Sequence, residues 1–213
     1  MGGRLSPLPP LDPATRARLA NEALALIAQQ RIALLVTFPP GEPFPRLRAM
    51  GFVHQSWQCY LSTRRTSRKV REIEANPLVT LLFCDQHRRR DHFIQLDSLA
   101  VAVNGAEFLA WQERRYQKEG EALRRATAGM TPADWAGWRL EPLRVRINGH
   151  LDAGPWRETP VVLTRADLGL PPLPATLAAR LPARPRWNAP SPEAGEERST
   201  ECPPAAAPTE PSG

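Results

Sequence analysis

The chain has 213 residues, room for one domain of ordinary size with appendages, or for two small ones. Apolar residues make up 42% and charged residues 23%, which excludes wholesale disorder, and no apolar run approaches the ~18 residues of a membrane-spanning helix. The net charge is +6, but ten basic residues between Arg46 and Arg90 face only Glu72, Glu74 and Asp85, so that segment alone carries +7 and calls for an anionic partner.

Residues 1–11 read as a flexible, Pro/Gly-rich leader. Asp12-Pro13 then has the form of an N-cap with proline in the first helical turn. Leu19, Ala20, Ala23, Leu24 and Ile27 follow at helical spacing, which predicts a helix to about Gln30. Ile32 to Phe38 is a short apolar run ending at Pro39-Pro40-Gly41, a strand and a turn. Phe44 to Val53 and Trp57 to Thr63 read as two further strands, joined tightly enough for an antiparallel hairpin. Thr66 to Ala75 reads as a short helix stopped by Asn76-Pro77. Leu78 to Cys84 and His92 to Val103 read as strands, Asn104 to about Ala128 as a helix broken at Gly120, and Trp138 to Ile147 as a closing strand. Trp156 to Leu163 offers one more short strand.

Many short strands with few helices, and no Gly-rich phosphate loop, argue against a doubly wound sheet. The expected class is mostly β (α+β), a small antiparallel split β-barrel with peripheral helices over residues 12–165. Eleven of the 24 prolines fall between Pro171 and Gly213, so residues 166–213 read as a disordered Pro/Ala-rich tail. Cys59, Cys84 and Cys202 lack metal or disulfide spacing, and the two that fall in strands read as buried, inert thiols. The histidines show no ligand spacing, so no metal is expected. Without an apolar signal core the expected location is the cytoplasm, with no membrane contact.

Two segments concentrate the charge. Along Phe44–Val53, strand alternation puts Leu47, Ala49, Gly51 and Val53 on one face, suited to a barrel interior. Phe44, Arg46, Arg48, Met50 and Phe52 share the other, where neighbouring guanidiniums repel unless solvent or an anion separates them. Thr63 to Val70 then gathers Arg64, Arg65, Arg68 and Lys69 around a helix start, which already carries positive partial charge. An anion bound there would remove the conflict, since free N–H groups, Thr/Ser hydroxyls and cations would all face it, and phosphate is the natural candidate. Lys69 is one of only two lysines among 28 basic residues.

Pro45-Arg-Leu-Arg48, Tyr60-Leu-Ser-Thr63, Ser67-Arg-Lys69, Asn76-Pro77 and Leu81-Leu-Phe83, in this order and spacing, resemble the pyridoxamine 5'-phosphate oxidase-like family of FMN-binding split barrels. Trp138 to Arg146 is similar to that family's closing strand, so the resemblance spans about residues 20–148. It implies FMN as cofactor, with Arg48 (or Arg46), Ser67, Arg68 and Lys69 on the phosphate. It further implies that Ser62 and Thr63 meet the ring or ribityl chain, that Met50 lines the ring, and that His92 reaches the flavin of a facing subunit. A homodimer with the cofactor at its interface and a flavin-dependent oxidoreductase follow as expectations. Asn148-Gly-His-Leu-Asp-Ala153 departs from the oxidase's substrate segment, and Trp111, Arg114, Arg115 and Tyr116 stand where its substrate helix differs, which argues against synthesis of pyridoxal phosphate. A deazaflavin- or haem-binding member of the same fold and a non-catalytic nucleic-acid-binding module are the rival readings.

Overall fold

The computed structural model describes residues 11–84, 93–148 and 160–181. Helix α1 (Pro13–Gln29) begins where the sequence asks, with the Asp12 carboxylate accepting from the Thr15 amide at 2.9 Å. Its buried stripe of Leu19, Ala20, Ala23, Leu26 and Ile27 lies against the sheet. Strands β1 (Ile32–Thr37), β2 (Arg46–Gly51), β3 (Val53–Gln55) and β4 (Gln58–Arg64) follow. Helix α2 (Arg68–Ala75) leads into β5 (Leu78–Cys84) and β6 (Phe93–Val103). Helices α3 (Gly105–Glu119) and α4 (Glu121–Ala126) are separated at Gly120, whose φ of 77° only glycine adopts at little cost. A 3-10 turn (Pro132–Asp134) enters β7 (Trp135–Asn148), and β8 (Val161–Thr164) and α5 (Ala175–Ala178) complete the described chain.

Every strand pair is antiparallel, in the order β2-β1-β5-β6-β7-β4-β3, with β8 on the remaining side of β7. The two ends of this order, β2 and β3, are separated in sequence by Phe52 alone. A single residue cannot span a flat sheet of seven strands, so the sheet must curl until its ends meet. This is the split-barrel α+β architecture. Phe52, Leu35, Cys59, Leu61, Leu81, Phe83, Ile94, Leu96 and Leu140 are at most marginally accessible and fill the interior. A second cluster lies outside β4 and β7, where Phe108 and Trp111 of α3 meet Val53, Tyr60, Val103 and Trp135. Tyr60 and Trp111 stack there with centroids 5.5 Å apart.

Three expectations are corrected. The stretch Phe44–Val53 is not one strand hairpinned to Trp57–Thr63: β2 pairs with β1, and only β3 pairs with β4. Its faces are also reversed. Leu47 and Ala49 are exposed, whereas Met50 and Phe52 are buried and Arg46 and Arg48 turn to the same side. Cys84 is exposed; Cys59 is buried, and burial pushes its thiol up to about 12.

The packed chain also continues past the boundary that composition placed at Arg165. Leu168 and Leu170 pack on the main core, Asp167 pairs with Arg16 of α1 at 2.6 Å, and α5 follows. Residues 182–213, the leader through residue 10, and the segment that holds His87, Arg88, Arg89, Arg90 and His92 lie outside the described residues. So do residues 149–159, which hold His150 and all but Asn148 of the segment compared with the oxidase's substrate-holding end.

Candidate functional site

A pocket of about 400 Å³ is lined by Arg46 and Arg48 of β2 together with Ser67, Arg68 and Lys69 at the start of α2. Two elements nearly twenty residues apart in sequence therefore build one site. The β2 side chains reach it because alternation turns both arginines to the same side. The α2 residues reach it because the helix begins there, with Ser67 in extended conformation at the N-cap. The Ser67 hydroxyl makes no capping bond, and no acidic residue occupies the first turn. The free amides and positive end of the helix dipole thus face the same pocket as the cations.

The neighbouring arginines are held together by a carboxylate that the sequence reading did not identify. Glu72, only 3% exposed, accepts from Arg46 Nη1 at 2.9 Å, from Arg48 Nη2 at 2.7 Å and from the Thr37 hydroxyl at 2.6 Å. Burial pushes its carboxyl up, but the Thr37 hydroxyl and the two guanidiniums outweigh this and hold it below the ordinary glutamate value. Arg46 also pairs with Glu42. The anion between the guanidiniums is therefore part of the protein. It does not exhaust the charge: four cations face two carboxylates, an excess of two positive charges. Arg48 Nη1 is buried with no hydrogen-bond partner. Lys69 is half-buried and has neither a hydrogen bond nor an ion pair among the described residues. Burial first, then Arg48 and Arg115, pull its ammonium below the usual lysine range.

The other expected residues lie elsewhere. Met50 is in the main core. Ser62 is buried under α3, where its hydroxyl accepts from Arg115 Nη1 at 2.6 Å and donates to Gln112 Oε1 at 3.1 Å. Thr63 is buried on the same strand. None of the three lines the pocket. Arg65 leaves the cationic group altogether: its guanidinium donates to the Ala133 and Trp135 carbonyls and ties β4 to the start of β7. Trp111, Trp135 and Trp138 are packing residues. Among the described residues no group of three or more His, Cys, Asp or Glu could hold a metal ion, and no helix is long and apolar enough to cross a membrane.

A family model for pyridoxamine 5'-phosphate oxidase matches residues 19–150, more than half of the chain. Among the curated proteins no relative matches. Solved structures share the fold at low identity. One is a protein related to general stress protein 26, of the pyridoxinephosphate oxidase family, from Clostridium acetobutylicum (TM-score 0.56, 15% identity, 71% of this chain and 98% of that one). Another is a heme binding protein from Mycobacterium smegmatis (TM-score 0.55, 16% identity, 76% of this chain and 61% of that one). A third is Campylobacter jejuni ChuZ (TM-score 0.58, 14% identity, 74% of this chain and 66% of that one). The curled antiparallel sheet and the match over residues 19–150 agree, and the chain belongs to the pyridoxamine 5'-phosphate oxidase-like family.

Proposed function

We propose that this protein binds FMN and acts as a flavin-dependent oxidoreductase, with the cofactor's phosphate in the pocket between β2 and α2. The observation that carries the reading is the uncompensated charge of that pocket. A phosphate monoester brings about −1.5 to −2 charges at neutral pH, which matches an excess of two. Arg48 Nη1, the Ser67 hydroxyl, the first amides of α2 and the Lys69 ammonium are the donors left to bind it. Glu72 orients both arginines in advance, so little side-chain freedom is lost on binding.

When bound, the flavin would supply the redox chemistry. The chain's contribution is anchorage, orientation and exclusion of water, and no side chain is assigned as a general acid or base. Trp111 and Arg114 of α3 are engaged with Tyr60 and Gln55, which supports a substrate other than that of the oxidase. Four cations converge on one pocket and Arg65 is spent on carbonyls, which supports a point anion over a nucleic-acid track.

The test is the absorption spectrum of the protein as isolated, followed by FMN titration with fluorescence detection. Flavin bands, and FMN retention lost in both Lys69→Ala and Arg48→Ala, are expected. A deazaflavin spectrum would change the cofactor and keep the site. A haem spectrum would turn the reading toward the heme binding protein of the same fold. Colourless protein that ignores FMN would end it.

A further inference from the structure

We propose that Glu72 is a specificity-determining residue of the pocket between β2 and α2: its buried carboxylate limits the charge the site accepts to that of a phosphate monoester and disfavours more highly charged ligands such as pyrophosphate and nucleoside polyphosphates. The inference deepens the reading of this pocket as a phosphate site and rests on it. Glu72 occupies a position where an apolar side chain is the ordinary choice. On α2 it falls between Val70 and Ile73 on the buried side of the helix, and its side chain is only 4% exposed. A carboxylate there must give up its hydration. Hydrogen bonds from Thr37, Arg46 and Arg48 offset that cost. A buried ion pair of this kind nevertheless gains little over apolar packing, so stability alone does not account for the charge.

The donors around the carboxylate show what it does to the site. Arg46 has Nη1 on Glu72 and both Nε and Nη2 on Glu42, so its charge is answered within the protein. Arg48 turns Nη2 to Glu72 and leaves Nη1 buried without a hydrogen-bond partner among the described residues. Arg115, a further cation that acts on Lys69, pairs with Glu119 at 2.7 Å and adds no excess. The two positive charges left over are those a monoester answers.

An anion with more charge finds no further cation there, and its added charge meets the Glu72 carboxylate behind the arginines. Because Glu72 is buried, water screens that repulsion little. Glu42, the other carboxylate on these cations, has a side chain 46% exposed and is screened far more. The two carboxylates are equal in formal charge and unequal in effect. Burial thus assigns the discrimination to Glu72.

The experiment uses the full chain freed of any copurified cofactor. Calorimetry gives its affinities for inorganic phosphate and pyrophosphate, and fluorescence gives that for FMN. In the wild type pyrophosphate should bind no more tightly than phosphate, despite its larger charge. Glu72→Gln should raise the preference for pyrophosphate over phosphate by about tenfold, the order of one unit-charge repulsion across a partly buried site. Glu42→Gln should raise it by less than about twofold. Thr37→Val removes a hydrogen bond from Glu72 and keeps its charge, so it should leave the ranking unchanged even where all three affinities fall. A purely structural role would instead weaken every ligand alike in both Glu72→Gln and Thr37→Val. Pyrophosphate bound about tenfold more tightly than phosphate by the wild type overturns the proposal whether or not Glu72→Gln folds, and so does an unchanged ranking in folded Glu72→Gln. FMN that fails to bind while the ranking shifts as expected removes the FMN reading and leaves the role of Glu72. Failure of both phosphate and pyrophosphate to bind overturns the phosphate reading and the proposal with it.

Discussion

At the scale of single residues, the pocket carries an electrostatic cost to the fold. The Lys69 ammonium is disfavoured by burial and by Arg48 and Arg115, so its folded pKa lies below its unfolded one. A group depressed in this way weakens the fold wherever it stays charged, and the cost fades only as pH rises through the folded value. Lys69→Met should therefore raise the melting temperature of the cofactor-free protein at pH 7 while abolishing FMN retention, both readable in one thermal-shift experiment with and without FMN. Glu72 has the opposite role. Its carboxylate is also depressed, but it is ionised at neutral pH, so its stabilisation is full above about pH 4.5, the ordinary glutamate value, and is lost as pH falls through the folded one. Glu72→Gln should cost about 3 kcal/mol at pH 7, because it leaves the partly buried Arg48 without a carboxylate and Arg46 with Glu42 alone. Urea denaturation at pH 7 and pH 3 should show that difference narrowing in acid.

At the scale of elements, the legible parts are those with local signals. Asp12-Pro13 announces α1, Asn76-Pro77 ends α2, Gly120 separates α3 from α4, and Leu78–Cys84 is a strand at both bounds. The orientation of β2 was not legible. Both of its faces carry apolar residues, so alternation alone cannot say whether Leu47 and Ala49 or Met50 and Phe52 turn inward. The answer depends on Glu72, which draws Arg46 and Arg48 to the side of α2 from more than twenty residues away. The convergence of those arginines with Ser67, Arg68 and Lys69 could be read from charge density; the carboxylate among them and the burial of Ser62 beneath Arg115 could not. The docking of α3 on β4 and β7 has a local condition of its own. A Cβ at position 137 would lie 2.7 Å from the Tyr60 hydroxyl and 2.8 Å from the Phe108 ring. Gly137→Ala should thus cost about 1–3 kcal/mol through overpacking, seen as a lowered urea midpoint.

At the scale of the whole molecule, the sheet leaves one side of β1 and β2 without a covering element among the described residues. Ile32 and Leu47 are each 57% exposed there, and Phe38 continues the same face at 43%. The other side of β2 carries Arg46 and Arg48 into the pocket. Apolar surface of this kind, on the strand that builds the site, supports the expected homodimer, because a two-fold axis through that face would bury the patch against its own copy. Leu47→Glu tests it with little risk to the fold, since an exposed position of this kind changes monomer stability by no more than about 0.5 kcal/mol. The wild type should sediment as a dimer and the variant as a monomer. If the site is completed across the interface, the variant should also lose FMN retention at concentrations where the wild type keeps it. A dimeric variant would move the interface off β1 and β2, and a monomeric wild type that still holds FMN would show that one chain suffices to bind the cofactor.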